Sequence, residues 1–79
     1  MEVYVLTSIF RNYDDASADV IVELFDDEEK AQARKDEWFK MDKKQPKAVI
    51  EDYDEYGYRI VGKNYEYITE VKISKQKVK

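Results

Sequence analysis

The stretch from Asp26 to Met41 constrains the fold more than any other part of the chain. Asp26-Asp27-Glu28-Glu29 offers an N-cap aspartate with a glutamate three residues later, a variant of the capping box. The other acids of this first turn suit the positive end of a helix dipole. Strong helix formers follow, bases come after acids, and the run stops before Pro46. The spacing predicts a helix over 27–43 with Asp26 as its N-cap. Ala31, Arg34, Trp38 and Met41 fall along one stripe, flanked by Lys35 and Phe39, so Trp38 is the expected anchor of this helix on a sheet.

The flanking segments have a β pattern. Residues 3–10 (VYVLTSIF) are β-branched and aromatic on both alternating sets, which suggests a central strand with something on each face. Residues 11–18 (RNYDDASA) form a polar hairpin loop, and 19–25 (DVIVELF) a second strand with Val20, Val22 and Leu24 on one face. Residues 65–74 alternate cleanly as a half-buried strand. Gly62-Lys63-Asn64 is the turn before it, closing a hairpin with 58–61. Val49, Ile50, Tyr53 and Tyr56 sit at helical spacing after Pro46, so 47–58 leans towards a second, short helix, although the same letters suit a strand. Residues 75–79 read as a frayed basic tail. The expectation is one small α+β domain over 1–79. Its sheet has three or four mainly antiparallel strands, with one main helix packed on one face, in the order ββα(α)β.

Chemistry is narrowed mostly by what is missing. The chain has no Cys and no His, which excludes disulfides, Cys/His zinc sites, thiol nucleophiles and imidazole-based triads. Gly57 and Gly62 are its only glycines, too few for a phosphate-cradling loop, and Ser8, Ser17 and Ser74 have no histidine to activate them. Residues 52–57 begin like a calcium loop, but Tyr56 and Lys63 occupy its fifth and twelfth places, where oxygen ligands are required. Glu70-Val71-Lys72 matches half of a metal-nuclease motif and reads better as part of a charge pair across strands on a solvent face. No catalytic residue, metal ligand or cofactor is expected, and the chain reads as not an enzyme. The start, MEVYVL, lacks a basic region followed by an apolar run, and no stretch approaches the roughly 20 apolar residues of a membrane helix. The expected location is the cytoplasm, without membrane contact.

Charge is arranged in blocks. Residues 1–29 hold nine acids and one base, 30–50 seven bases and three acids, 51–70 six acids and two bases, and 71–79 four lysines and no acid. These blocks describe either a solvated, internally paired surface or an acidic face built from two separate segments that attracts a basic protein. Tyrosine is the second signal: Tyr53, Tyr56, Tyr58, Tyr65 and Tyr67 crowd into 15 residues among acids. Tyrosine offers rigid contact area with a polar tip, so Asp52, Tyr53, Asp54, Glu55, Tyr56 and Tyr58 are the expected partner-binding residues. The alternative use of the tyrosines is to fill a small core. Bases stack on aromatics only along a basic groove, so direct nucleic-acid binding is disfavoured here.

The opening VYVLTS, the strand running into FDDEEKAQA and the Trp38 helix resemble small proteins of bacteria, phages and prophages built as β-hairpin, helix and closing strand. The resemblance covers residues 2–41, with 65–73 as the final strand. It implies an architecture and, from the habits of such proteins, a phage or mobile-element inhibitor or modulator that blocks a host nucleic-acid-handling or defence enzyme. The alternative is a self-associating structural module, a homodimer joined through the same tyrosines.

Overall fold

A computed structural model of the chain describes residues 2–12 and 17–77. Strand β1 (Glu2–Asn12) and strand β2 (Ser17–Phe25) form a hairpin and lead into helix α1 (Glu28–Asp42). Strands β3 (Ala48–Asp54) and β4 (Gly57–Gly62), a single 3-10 turn (Lys63–Tyr65) and strand β5 (Tyr67–Lys77) follow. The five strands form one sheet in the order β2-β1-β5-β4-β3, every neighbouring pair antiparallel. Its spine is the β1–β5 pair, in register from Glu2 opposite Lys77 to Asn12 opposite Tyr67.

The chain enters α1 from one edge of the sheet and leaves it for the other. Four strand spacings of about 4.8 Å separate β2 from β3, roughly 19 Å. The 15 residues of α1 cover about 22 Å, enough to cross the sheet. α1 seats Trp38 against Leu6, Tyr58, Ile60 and Val71, with Phe25, Phe39, Ala48, Tyr67 and Ile73 packed around them. Trp38 is therefore the anchor that the helix spacing predicts. The buried stripe, however, is Ala31, Lys35 and Trp38, while Met41 faces solvent. Among the described residues no element covers the opposite face of the sheet, so the apolar character of both faces of β1 does not signify two covering layers.

Other expectations are corrected. The sheet has five strands, not three or four, because 48–54 pairs with 57–62 as a hairpin and forms no second helix. The misleading feature is a β-bulge: the register shifts between Ile50 and Asp52, so Ile50 faces Ile60 while Tyr53 faces Tyr58. One extra residue puts positions three apart on the same face and imitates helical spacing. Gly57 is required at the start of β4, since a Cβ there would come within 2.1 Å of the Val71 carbonyl oxygen.

The N-cap is Asp27, not Asp26: Asp27 is extended (φ −138, ψ 133) and its Oδ1 accepts the Glu29 amide at 2.7 Å. Asp26 instead pairs with Lys30 at 3.2 Å. The polar loop expected over 11–18 is shorter, since β1 runs to Asn12 and β2 begins at Ser17, and its centre, 13–16, lies outside the described residues. The last strand starts at Tyr67, after Asn64 and Tyr65 take left-handed backbone (φ 60 and 58). It runs on to Lys77, so the tail is ordered further than its charge suggests. The final two positions of that tail, 78–79, also lie outside the described residues. No helix among the described residues is long and apolar enough to cross a membrane.

Candidate partner-binding site

The β3–β4 hairpin carries all six expected binding residues, and strand alternation sorts them. Tyr53 and Tyr58 face each other on the helix side. The Tyr58 ring is buried in the core, edge-on to Phe39 at 5.1 Å, and its hydroxyl donates a hydrogen bond to the Asp42 carboxylate. Burial is the main cause that pushes the Tyr58 phenol well above its ordinary pKa, with the neighbouring carboxylate adding to it. Burial likewise raises Asp42, against the lowering effect of the Tyr58 hydrogen bond. Tyr58 is thus a core residue and leaves the set of surface candidates.

Tyr53 is half exposed but tied down. Its hydroxyl donates to Asp36 Oδ1 at 2.8 Å, which holds that carboxyl below its ordinary pKa, and its ring tilts on Phe39 at 4.5 Å. Lys35 is buried beneath the hairpin with its charge satisfied three ways: the Asp54 carbonyl at 2.8 Å, the Asp36 carboxylate at 3.1 Å and the Tyr53 ring at 4.5 Å. These contacts clamp the hairpin on α1.

The hairpin tip lies beyond these contacts. Asp54 Oδ1 accepts the Tyr56 amide at 2.8 Å and the Tyr56 carbonyl accepts the Ile73 amide at 2.7 Å, so Glu55 and Tyr56 are presented on a fixed turn. Asp52 lies across from Arg59 on the uncovered face. There Arg59 pairs with Glu51 at 2.9 Å and Glu70 at 3.4 Å, so Glu70 belongs to a charge pair across strands with Arg59 as its partner.

The tip meets the start of α1. Asp26, Asp27, Glu28, Glu29 and Glu55 line one open cleft together with Tyr4 and Gln32, and the lining contains no basic side chain. Tyr56 lines an adjoining hollow with Tyr4, Glu28, Ile73 and Lys75. The potential at this end raises the Tyr56 phenol above its ordinary pKa, Glu55 contributing most and Glu28 next. Among the described residues no three carboxylates converge as metal ligands would. The carboxylates are instead spread along the cleft.

Charge blocks pointed to an acidic face built from two segments, and two segments do meet here, but the composition of the site differs from the six-residue expectation. Glu55 and Tyr56 line it, Tyr53 and Tyr58 are held by α1 and the core, and Asp52, Asp54, Tyr56 and Tyr58 line a separate groove with Arg59, Glu70 and Lys72. Asp26 to Glu29 fall in the first acidic block but read individually as helix-capping residues, and Tyr4 reads only as a strand residue. Comparison with protein families, with curated proteins and with solved structures finds no match.

Proposed function

We propose that this protein is a non-catalytic binding module that receives a basic protein surface at its acidic end. The observation that carries the reading is the convergence of residues 26–29 with Glu55 on one cleft that Tyr4 also lines, beside a hollow lined by Tyr4 and Tyr56. Spread carboxylates steer and orient a cationic partner, and tyrosines at the margin supply contact area that excludes water. A surface of this kind competes for the lysines and arginines that an enzyme uses to hold phosphates. The finer reading follows from that chemistry and from the resemblance to phage and prophage proteins. On that reading the module inhibits or modulates a host nucleic-acid-handling or defence enzyme by occupying its nucleic-acid-contacting site.

The test is affinity capture from a bacterial lysate with the wild-type chain and with Glu29→Lys/Glu55→Lys, each in the presence and absence of competing duplex DNA. The reading requires a basic protein that the wild type captures, that DNA displaces and that the variant fails to hold. Identical capture by both chains would remove the acidic end from the account.

A further inference from the structure

The two edges of the sheet are treated differently. β3 is broken by the bulge beside Glu51 and carries Glu51, Asp52 and Asp54, features that discourage pairing with another strand. β2 has no bulge and only two acids, Asp19 and Glu23, the second of them engaged with Arg34 of its own chain. It pairs with β1 without a register shift from Ser17 to Phe25 and contains no Pro, Lys or Arg. Four of its apolar side chains are exposed over residues 20–24, Val20 at 59%, Ile21 at 53%, Val22 at 55% and Leu24 at 67%, whereas β3 exposes only Val49 and Ile50 ahead of its bulge and acids.

This exposure falls on both faces of β2. Val20, Val22 and Leu24 lie on the uncovered face, and Ile21 on the helix side. On the adjacent strand, Val3, Val5 and Ile9 share the uncovered face yet are only partly exposed. What β2 lacks is therefore a lateral neighbour, since a layer laid over one face would leave Ile21 as it is.

We infer that β2 is the pairing edge of a symmetric homodimer, joined antiparallel about a two-fold axis at Val22. In that register Val22 faces Val22 of the second copy, Val20 faces Leu24, Ile21 faces Glu23 and Asp19 faces Phe25. Apolar residues meet apolar residues along the uncovered face, and no acid opposes an acid. Moving the axis by one residue sets Asp19 against Glu23, or Glu23 against itself, which like-charge repulsion disfavours. Glu23 is already paired with Arg34 of its own chain at 3.2 Å, so its place beside Ile21 does not bring in an unpaired charge. An isologous contact of this kind closes after two copies and makes one continuous ten-stranded sheet, with both helices on the same side. The acidic ends, which follow β2 at Asp26, then lie on opposite sides of the axis. This inference stands apart from the proposed partner site, and either can fail without the other.

The experiment uses sedimentation velocity over a concentration series, together with cysteine variants that the Cys-free chain makes clean. Residues that face each other in an antiparallel pair have Cα atoms about 4.5–5.5 Å apart, within disulfide range. Residues 20 of the two copies would be four positions out of step, about 13 Å apart. Val22→Cys should crosslink under mild oxidation, and Val20→Cys alone should not. Val22→Lys should raise the dimer dissociation constant at least tenfold while leaving the circular dichroism of the monomer unchanged. With a net charge of −4 on each copy, added salt should strengthen the dimer. A chain that stays monomeric at millimolar concentration overturns the inference. So does a dimer that Val22→Lys leaves intact, or one in which Val20→Cys crosslinks as readily as Val22→Cys.

Discussion

Lys35 donates a hydrogen bond to the main-chain carbonyl of Asp54 at 2.8 Å from a position only 2% exposed. A residue from the middle of α1 thereby holds the β3–β4 hairpin whose tip completes the acidic cleft. Hydrogen bonds to a charged group contribute about 1.5–3 kcal/mol, so Lys35→Ala should destabilise by about 3 kcal/mol once lost packing of the stem is added. Lys35→Met keeps the stem and removes the buried charge, and should cost clearly less. Urea denaturation of the two variants gives the order. A Met variant less stable than the Ala variant would contradict this role for Lys35.

The phenol of Tyr58 and the carboxyl of Asp36 predict opposite ends of the pH profile. Tyr58 has a raised pKa in the fold, so its contribution is complete below the ordinary value of 10.0 and is lost as pH rises through the folded value. Asp36 has a lowered pKa, so its contribution is present above 3.8 and is lost as pH falls through the folded value. Absorbance at alkaline pH should show one tyrosine that ionises only with unfolding, and Tyr58→Phe should abolish that feature. Asp36→Asn should lower the thermal midpoint at neutral pH and match wild type in strong acid. Raised Asp42 acts against Asp36 in the acid range, since its contribution falls as pH rises.

The two aspartates at the start of α1 differ in role. Asp27 caps the Glu29 amide, so Asp27→Ala should cost about 1 kcal/mol. Asp26 makes only an exposed pair with Lys30, so Asp26→Ala should cost less than about 0.5 kcal/mol. Thermal melts of the two single variants would place the cap, and the reverse order would return it to Asp26.

Thr69 is 2% exposed and its hydroxyl has no hydrogen-bond partner among the described residues. Desolvating a hydroxyl without a partner costs about 1–3 kcal/mol, so Thr69→Val should raise stability by about 1 kcal/mol. A loss of stability in urea denaturation would mean that the hydroxyl makes a compensating contact.

Much of the fold was legible because local signals agreed with tertiary demands. Trp38 marks the buried side of a helix whose acids lead and bases follow, and the alternation of Tyr67 to Ile73 marks a strand with one buried side. β3 was obscured because its bulge breaks the period of two that identifies a strand. Lys35 was read as flanking the apolar stripe because charge argues for solvent, whereas its partners, Asp36, Tyr53 and Asp54, are assembled by tertiary structure. The acidic site was half legible. Charge can be counted along the chain, but the approach of Glu55 to Glu28 depends on α1 crossing the sheet and on the β3–β4 hairpin returning to the start of the helix.

The most direct test of the central claim is the association rate of the captured partner, measured by stopped flow as a function of salt for wild type and for Glu29→Gln/Glu55→Gln. Both side chains are exposed, so the thermal midpoint of the double variant should stay close to wild type. Electrostatic steering predicts a wild-type rate that falls steeply with ionic strength, and a variant rate at least about threefold slower at low salt with a shallower slope. Equal rates and equal slopes for the two proteins would contradict the assignment of the acidic end as the partner-binding site.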